Sequence, residues 1–343
     1  MMEVFDVVIV GGGPAGLICA QRLSHSGMSI LLIEKDEVFG DKVCAGGLTR
    51  KGLKILDLPE EIIQQKVCKT VLHSPGRYSH ANSPDPIVVT VDRRDLGRWQ
   101  ASCISTADVK ILKNTKVKEV RASRVVLEDD REIAYGSLVG ADGYSSVVRR
   151  YLGLPQEKKL IGIQYLIPDG GIDPAIEIFL DHRHFHSWYA WIFPHKDHLA
   201  VGCVCDPGYF SPKKMKKAFQ DWLHSKNLDI SGAEYQSAPI SYDYRGLKFD
   251  NIYLAGDAAG IASGLTGEGI YQSLVSGIQV ACYISGEQEE LKEFKFVLRY
   301  NRIQERIMKF LIRIGPFRVL IYEIIILLMN NKRFKNKVNK GFS

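Results

Sequence analysis

The chain opens on an apolar run, "FDVVIV" (5–10), breaks at three glycines, continues with apolar residues at helical spacing, and reaches a second apolar run, "SILLIE" (29–34). This pattern predicts strand, tight turn, helix and strand. The succession returns twice. "SLVGAD" (137–142) leads through Gly143 into a helical pattern, and "NIYLAG" (251–256) leads through a glycine-rich loop into another. Short alternating runs from Val109 to Asp142 predict several further strands. In "SWYAWIFP" (187–194) three rings alternate, Tyr189, Trp191 and Phe193. On a strand they share one face, and Pro194, which has no amide hydrogen, ends it. Strand patterns with proline and glycine turns also dominate 67–87 and 154–245.

Composition changes this picture little. Hydrophobic and charged fractions of 45% and 24% are those of an ordinary globular protein, and 343 residues can bury a substantial core. Charge matters at the end of the chain. Much of the excess behind the net +6 lies in "NNKRFKNKVNK" (330–340), directly after the apolar "VLIYEIIILLM" (319–329). A nucleic-acid arm would interleave basic residues with stacking aromatics and lack such a neighbour, so no nucleic-acid partner is expected. Two readings stay open: a surface helix beside anionic lipid, or a core helix with a solvated charged end. Glu323 interrupts the apolar run, and no stretch reaches the ~20 apolar residues that span a bilayer. With no basic leader before the first strand, the expected location is the cytoplasm, at most peripheral on a membrane. The seven cysteines are scattered without CxxC spacing, and Cys203 and Cys205 would share one strand face. Free thiols in a reducing compartment fit that usage.

Candidate chemistry begins at the first turn. Gly11, Gly13 and Gly16 follow a strand and open a helix, and Glu34 ends the next strand about twenty residues on, the dinucleotide fingerprint in its full context. Gly11 permits the tight turn, Gly13 lets the backbone approach a pyrophosphate, and Gly16 allows helix to pack on strand. Amides at the helix start, from Ala15 onward, face the phosphates. Glu34, with Lys35 beside it, is placed to meet a ribose diol and would repel a 2′-phosphate. Asp142 and Asp257 at the ends of the two later strands can hold ribose or ribityl hydroxyls, and Gly267, Gly269 and Ile270 at a glycine-rich helix start can meet the flavin ring or its phosphates. Two such segments so far apart imply one extended dinucleotide lying across a sheet.

These three segments, in this order, resemble the FAD-dependent hydroxylase-like flavoproteins. "VDRRDLGRWQ" (91–100) is similar to the helix start by which those proteins reach the cofactor, which implies Arg93, or else Arg94, as a cofactor ligand. The resemblance also implies a backbone group near Val117 against the adenine. Within that superfamily the chain resembles the geranylgeranyl reductase family, which saturates prenyl double bonds. "KVCAGGL" (42–48) is similar to its Cys-Gly loop beside the flavin, implying Cys44, Ala45 and Gly47 as cofactor contacts. "YAWIFPHKDHLAVG" (189–202) is similar to its Y-x-W-x-F-P strand, and "GDAAGIASGLTGEGI" (256–270) to its flavin loop. One departure stands in that loop: Gly264 where the family has proline, which would loosen the turn.

The resemblance implies that Tyr189, Trp191 and Phe193 front the flavin and line the site of an isoprenoid lipid, whose affinity must come from apolar burial. Cys44 is then the candidate proton donor or chain-positioning residue, with Tyr189 and Trp191 as further catalytic candidates; a small packing residue is the alternative for Cys44. His182, His184 and His186 would alternate on one strand face, but no carboxylate or cysteine completes a metal set there, and no metal is expected. The electron donor is NAD(P)H, binding transiently because no second glycine fingerprint is present, or a ferredoxin-type protein. The expected architecture is α/β: a Rossmann-like FAD-binding domain built from 1–66, 88–153 and 246–285, a β-rich substrate domain from 67–87 and 154–245, and a C-terminal helical or membrane-surface segment, 286–343. Two other functions share these features, a flavin monooxygenase or halogenase, and a lipid-binding protein that uses FAD structurally.

Overall fold

A computed structural model describes residues 2–105, 107–168 and 174–330. The chain divides into two compact units, each drawn from three stretches: 1–42, 93–159 and 240–303 in the first, and 43–92, 160–239 and 304–343 in the second.

The first unit is built on an eight-stranded sheet. Its parallel core runs Ile252–Leu254, Glu132–Gly140, Glu3–Val10, Ile30–Ile33 and Val109–Leu112, with Lys248–Phe249 antiparallel at one edge. Val7–Val10 and Ile30–Ile33 are buried throughout, as expected of parallel strands covered on both faces. The helices Pro14–Leu23 and Ile270–Ile284 pack together. Gly277 makes that approach possible, since a Cβ there would lie 2.3 Å from the Ala15 carbonyl oxygen. Arg149 ties the unit together at a point far along the chain. It is 2% exposed and donates to the carbonyls of Pro155, Asp243 and Ala258.

The second unit holds a seven-stranded, mostly antiparallel sheet in the order Glu234–Ser241, Lys159–Pro168, His198–Cys205, Ala190–Pro194, Ala175–Phe179, Lys69–His73, Tyr78–Asn82. The helix Pro212–Ser225 buries Met215, Phe219, Trp222 and Leu223, with the Trp222 ring set edge-on to Phe179 and Phe185. A second, three-stranded sheet joins Gly47–Thr49, Val88–Val91 and Ile63–Val67. Residues 43–66 and 88–92, which the sequence placed in the nucleotide domain, group with the second unit. The stretch 286–303, assigned by sequence to a separate C-terminal segment, groups with the first unit.

Three local expectations are corrected. His182, His184 and His186 do not alternate on a strand: His182–Phe185 is one helical turn, because the Asp181 carboxylate caps it by accepting from the Arg183 amide at 3.1 Å. Gly256 and Asp257 do not end a strand but open the one-turn helix Gly256–Ala259, while the strand stops at Leu254. The strand before Asp142 likewise ends at Gly140. Of the C-terminal basic run, all but Asn330 lies outside the described residues.

Candidate functional site

The nucleotide end lies in the first unit. Gly11 takes φ +105°, a conformation costly for any side chain, and a Cβ on it would sit 2.3 Å from the Ala141 carbonyl oxygen. A Cβ on Gly16 would lie 2.0 Å from the Gly11 carbonyl oxygen. In front of Gly13 a Cβ would meet nothing within 4 Å, so open space faces that backbone. Gly13 caps the Pro14–Leu23 helix and Gly269 caps Ile270–Ile284; neither helix has a side-chain cap or an acid in its first turn. Both therefore present unsatisfied amides with their dipole uncompensated, as a bound phosphate or flavin carbonyl requires. Ala15 and Ile270 are buried in the first turns of these helices. Gly267, at φ +64°, donates its amide to the Ser263 carbonyl and so shapes the loop before the second.

Glu34 is buried and holds the turn itself, accepting from the amides of Gly12 at 2.5 Å and Asp36 at 2.9 Å. Lys35 is largely exposed and pairs with Asp36 at 2.9 Å, which raises its pKa. The chain just before Val117 passes beside this strand end: the amides of Asn114 and Thr115 donate to the carbonyls of Asp36 and Glu34. Of the two candidate arginines, Arg94 is exposed and bonded to Asp41, whereas Arg93 has its Nε buried without a partner. Asp142 receives the Val147 amide on Oδ2 but leaves Oδ1 buried and unpaired, and burial raises its pKa. Orphaned polar atoms, two bare helix starts and an open glycine backbone fit a dinucleotide with hydroxyls to donate and phosphates to receive.

Sequence reasoning missed Lys42. Its Nζ lies 2.5 Å from Asp257 Oδ2, and Asp257 is only 8% exposed. A lysine two residues before a cysteine carries no motif of its own, and the partner is 215 residues away. Gly264, where looseness was expected, is packed: a Cβ would lie 2.6 Å from the Tyr242 ring, so the aromatic side chain fills the place of a larger residue.

The second unit brings the Cys44 loop and the aromatic strand together. Tyr189 precedes the strand Ala190–Pro194 by one residue, yet its carbonyl still accepts the Val204 amide, and its ring lies 5.9 Å from that of Trp191. Trp191 is 9% exposed and its indole packs against Gly202, where a Cβ would come within 2.3 Å of it. Its Nε1 is buried with no acceptor. Phe193 faces Gly47, where a Cβ would come 2.4 Å from the ring. The loop is pinned at three more points: Gln164 Nε2 donates to the Cys44 carbonyl at 3.3 Å, His195 Nε2 bonds the Ala45 carbonyl at 3.1 Å, and the Val91 amide donates to the Gly46 carbonyl. The Gly46 amide also donates to Cys44 Sγ at 3.4 Å. Neither Gln164 nor His195 was singled out in the sequence. The His195 pKa is pushed down to about 4 by burial and by His198, on which its ring stacks at 4.3 Å. The imidazole is thus neutral at physiological pH, with Nδ1 buried and unpaired.

Taken together, fold and site define an FAD-dependent oxidoreductase. A family model described as pyridine nucleotide-disulphide oxidoreductase matches residues 5–162. The chain is 28% identical over 298 residues to a digeranylgeranylglycerophospholipid reductase of Methanothrix thermoacetophila, covering 80% of this chain and 75% of that protein. A geranylgeranyl bacteriochlorophyll reductase-like protein of Thermoplasma acidophilum superimposes with a TM-score of 0.81 at 18% identity, over 97% of this chain and 93% of that one. A flavin-dependent brominase superimposes with a TM-score of 0.73 at 19% identity, over 99% and 93%, so the fold alone does not choose a reaction. A geranylgeranyl diphosphate reductase of Rhodobacter capsulatus is 24% identical over 310 residues, covering 84% of this chain and 78% of that protein.

Proposed function

We propose that this chain reduces carbon–carbon double bonds in a polyprenyl chain, using FAD. The observation that carries this reading is the packing of the Cys44–Gly47 loop directly on the Tyr189–Phe193 strand, which sets a thiol-bearing turn against an apolar wall. A polyprenyl chain has few groups to hydrogen-bond, so such a wall binds it by burial, at about 25 cal/mol per Å² of apolar surface. When bound, reduced FAD supplies a hydride equivalent to one alkene carbon, and the other carbon takes a proton. Gly13 and the two bare helix starts bind the diphosphate and flavin end, with Arg93 supplying a charged donor. Cys44 Sγ accepts from the Gly46 amide, which orients the sulfur and leaves its own hydrogen for donation. The neutral His195 and Gln164 fix the loop's carbonyls, so that sulfur sits on a constrained backbone. Names of the curated relatives support the substrate class.

The deciding experiment uses FAD-loaded protein, reduced chemically without oxygen and mixed with a geranylgeranyl lipid. Return of the oxidised flavin absorbance, with lipid heavier by two hydrogens for each bond saturated, is expected. Flavin that stays reduced with lipid but turns over with oxygen to give a hydroxylated or halogenated product would establish the other chemistry. Binding of the lipid without reoxidation would leave FAD a structural role.

A further inference from the structure

We propose that the outward face of the helix Arg318–Met329, in the second unit, docks on an anionic lipid surface. This does not depend on the reaction proposed above. The helix is apolar almost all round, and its inward side is already used: Tyr322 and Ile326 are buried, and Asn330 just beyond it bonds the Tyr78 carbonyl on the edge strand Tyr78–Asn82. Its two charged side chains are also taken up by the protein. Arg318 is 5% exposed and donates to Ser187 Oγ at 2.7 Å and to the Gly315 carbonyl. Glu323 accepts from Arg77 and the Gly76 amide, both at 2.8 Å. Nothing charged is left for the opposite side. There Leu320, Ile324 and Leu327, at three- and four-residue spacing, are 57%, 50% and 58% exposed, with Phe317 just before the helix at 69%. A contiguous apolar strip with no polar member is a docking surface rather than scattered exposure.

Charge selects the occupant. Arg306, Lys309 and Arg313 are exposed in the last turns of the preceding helix, Lys292–Arg313. The sequence after Asn330 adds Lys332, Arg333, Lys335, Lys337 and Lys340 and no acid. An excess of one sign in this part of the sequence disfavours a two-fold interface between copies of this chain. Phosphate headgroups complement that charge, and acyl chains accept the leucines and isoleucines. At 12 residues the helix is about 18 Å long against a hydrocarbon core of ~30 Å, so it lies in the interface and does not cross.

The test is flotation of the full-length, FAD-supplemented protein with vesicles of phosphatidylcholine and phosphatidylglycerol in equal parts, and with phosphatidylcholine alone. Wild-type protein is expected to float with the mixed vesicles, less with the neutral ones, and less again as salt is raised. The triple variant L320S/I324S/L327S is expected to lose about tenfold or more in bound fraction, with flavin content and melting temperature unchanged because all three side chains point to solvent. No flotation with mixed vesicles, or equal flotation of the triple variant, overturns the proposal. So does a dimer in sedimentation that the triple variant dissociates and that ignores vesicles, since a second copy would then cover the face.

Discussion

Gly13 and Gly16 lie three residues apart in one turn, yet an added methyl group has opposite meanings at the two positions. At Gly16 the Cβ would collide with backbone 2.0 Å away, so Gly16→Ala is expected to destabilise the fold by about 1–3 kcal/mol in a denaturant titration, whether or not FAD is present. At Gly13 nothing lies within 4 Å, so Gly13→Ala is expected to leave the apoprotein's stability within about 0.5 kcal/mol of wild type. The same change should weaken FAD binding by about tenfold or more in a fluorescence titration if, as proposed, the diphosphate approaches this backbone. Equal affinity in that variant would move the cofactor off this turn. Arg93 separates from Arg94 by similar reasoning. Only Arg93 has a buried, unpartnered Nε, so Arg93→Ala is expected to cost about tenfold in FAD affinity and Arg94→Ala much less.

At the scale of elements, the hairpin that carries His195 decides how the Cys44 loop is held. His195 keeps a pKa of about 4 in the fold, against an ordinary value of 6.5. Between those values the unfolded chain binds a proton that the folded chain refuses, so its contribution is complete above pH 6.5 and is lost as pH falls towards 4. Thermal melts of wild-type protein should drop across that window, and His195→Gln should flatten the drop attributable to this group. A His195→Gln profile that follows the wild type throughout would show the imidazole to be freely titrating. The aromatic strand makes a second prediction at this scale. Trp191 packs against Gly202, so Gly202→Val is expected to force the indole off its seat, at about 1–3 kcal/mol, and to reduce lipid turnover more than FAD content.

For the whole molecule, Arg149 links parts of the first unit that are far apart in the chain. It donates to carbonyls at 155, 243 and 258 from a position 2% exposed, and replacement by methionine would leave them without donors. A loss of about 3 kcal/mol or more is expected, seen as a lower unfolding midpoint. By sequence, the glycine turn, the helix starts at Gly13 and Gly269 and the alternating rings were readable, whereas the strands before Asp142 and Asp257 stop short of those acids. Each rests on a local rule: a backbone conformation only glycine adopts easily, the absence of an amide hydrogen in proline, or the two-residue period of a strand. Those rules operate over a few residues, so the sequence by itself determined the glycine turn, the two helix starts and the alternation of the rings. Only the tertiary structure decided the rest. It grouped 43–66 with the second unit, turned His182–Phe185 into a helical turn, filled the space beside Gly264 with Tyr242, and paired Lys42 with Asp257. It also set Gln164 and His195 on the Cys44 loop and turned Arg318 and Glu323 inward. The physical reason is common to all of these: each depends on contact between residues or strands whose positions a local pattern does not encode.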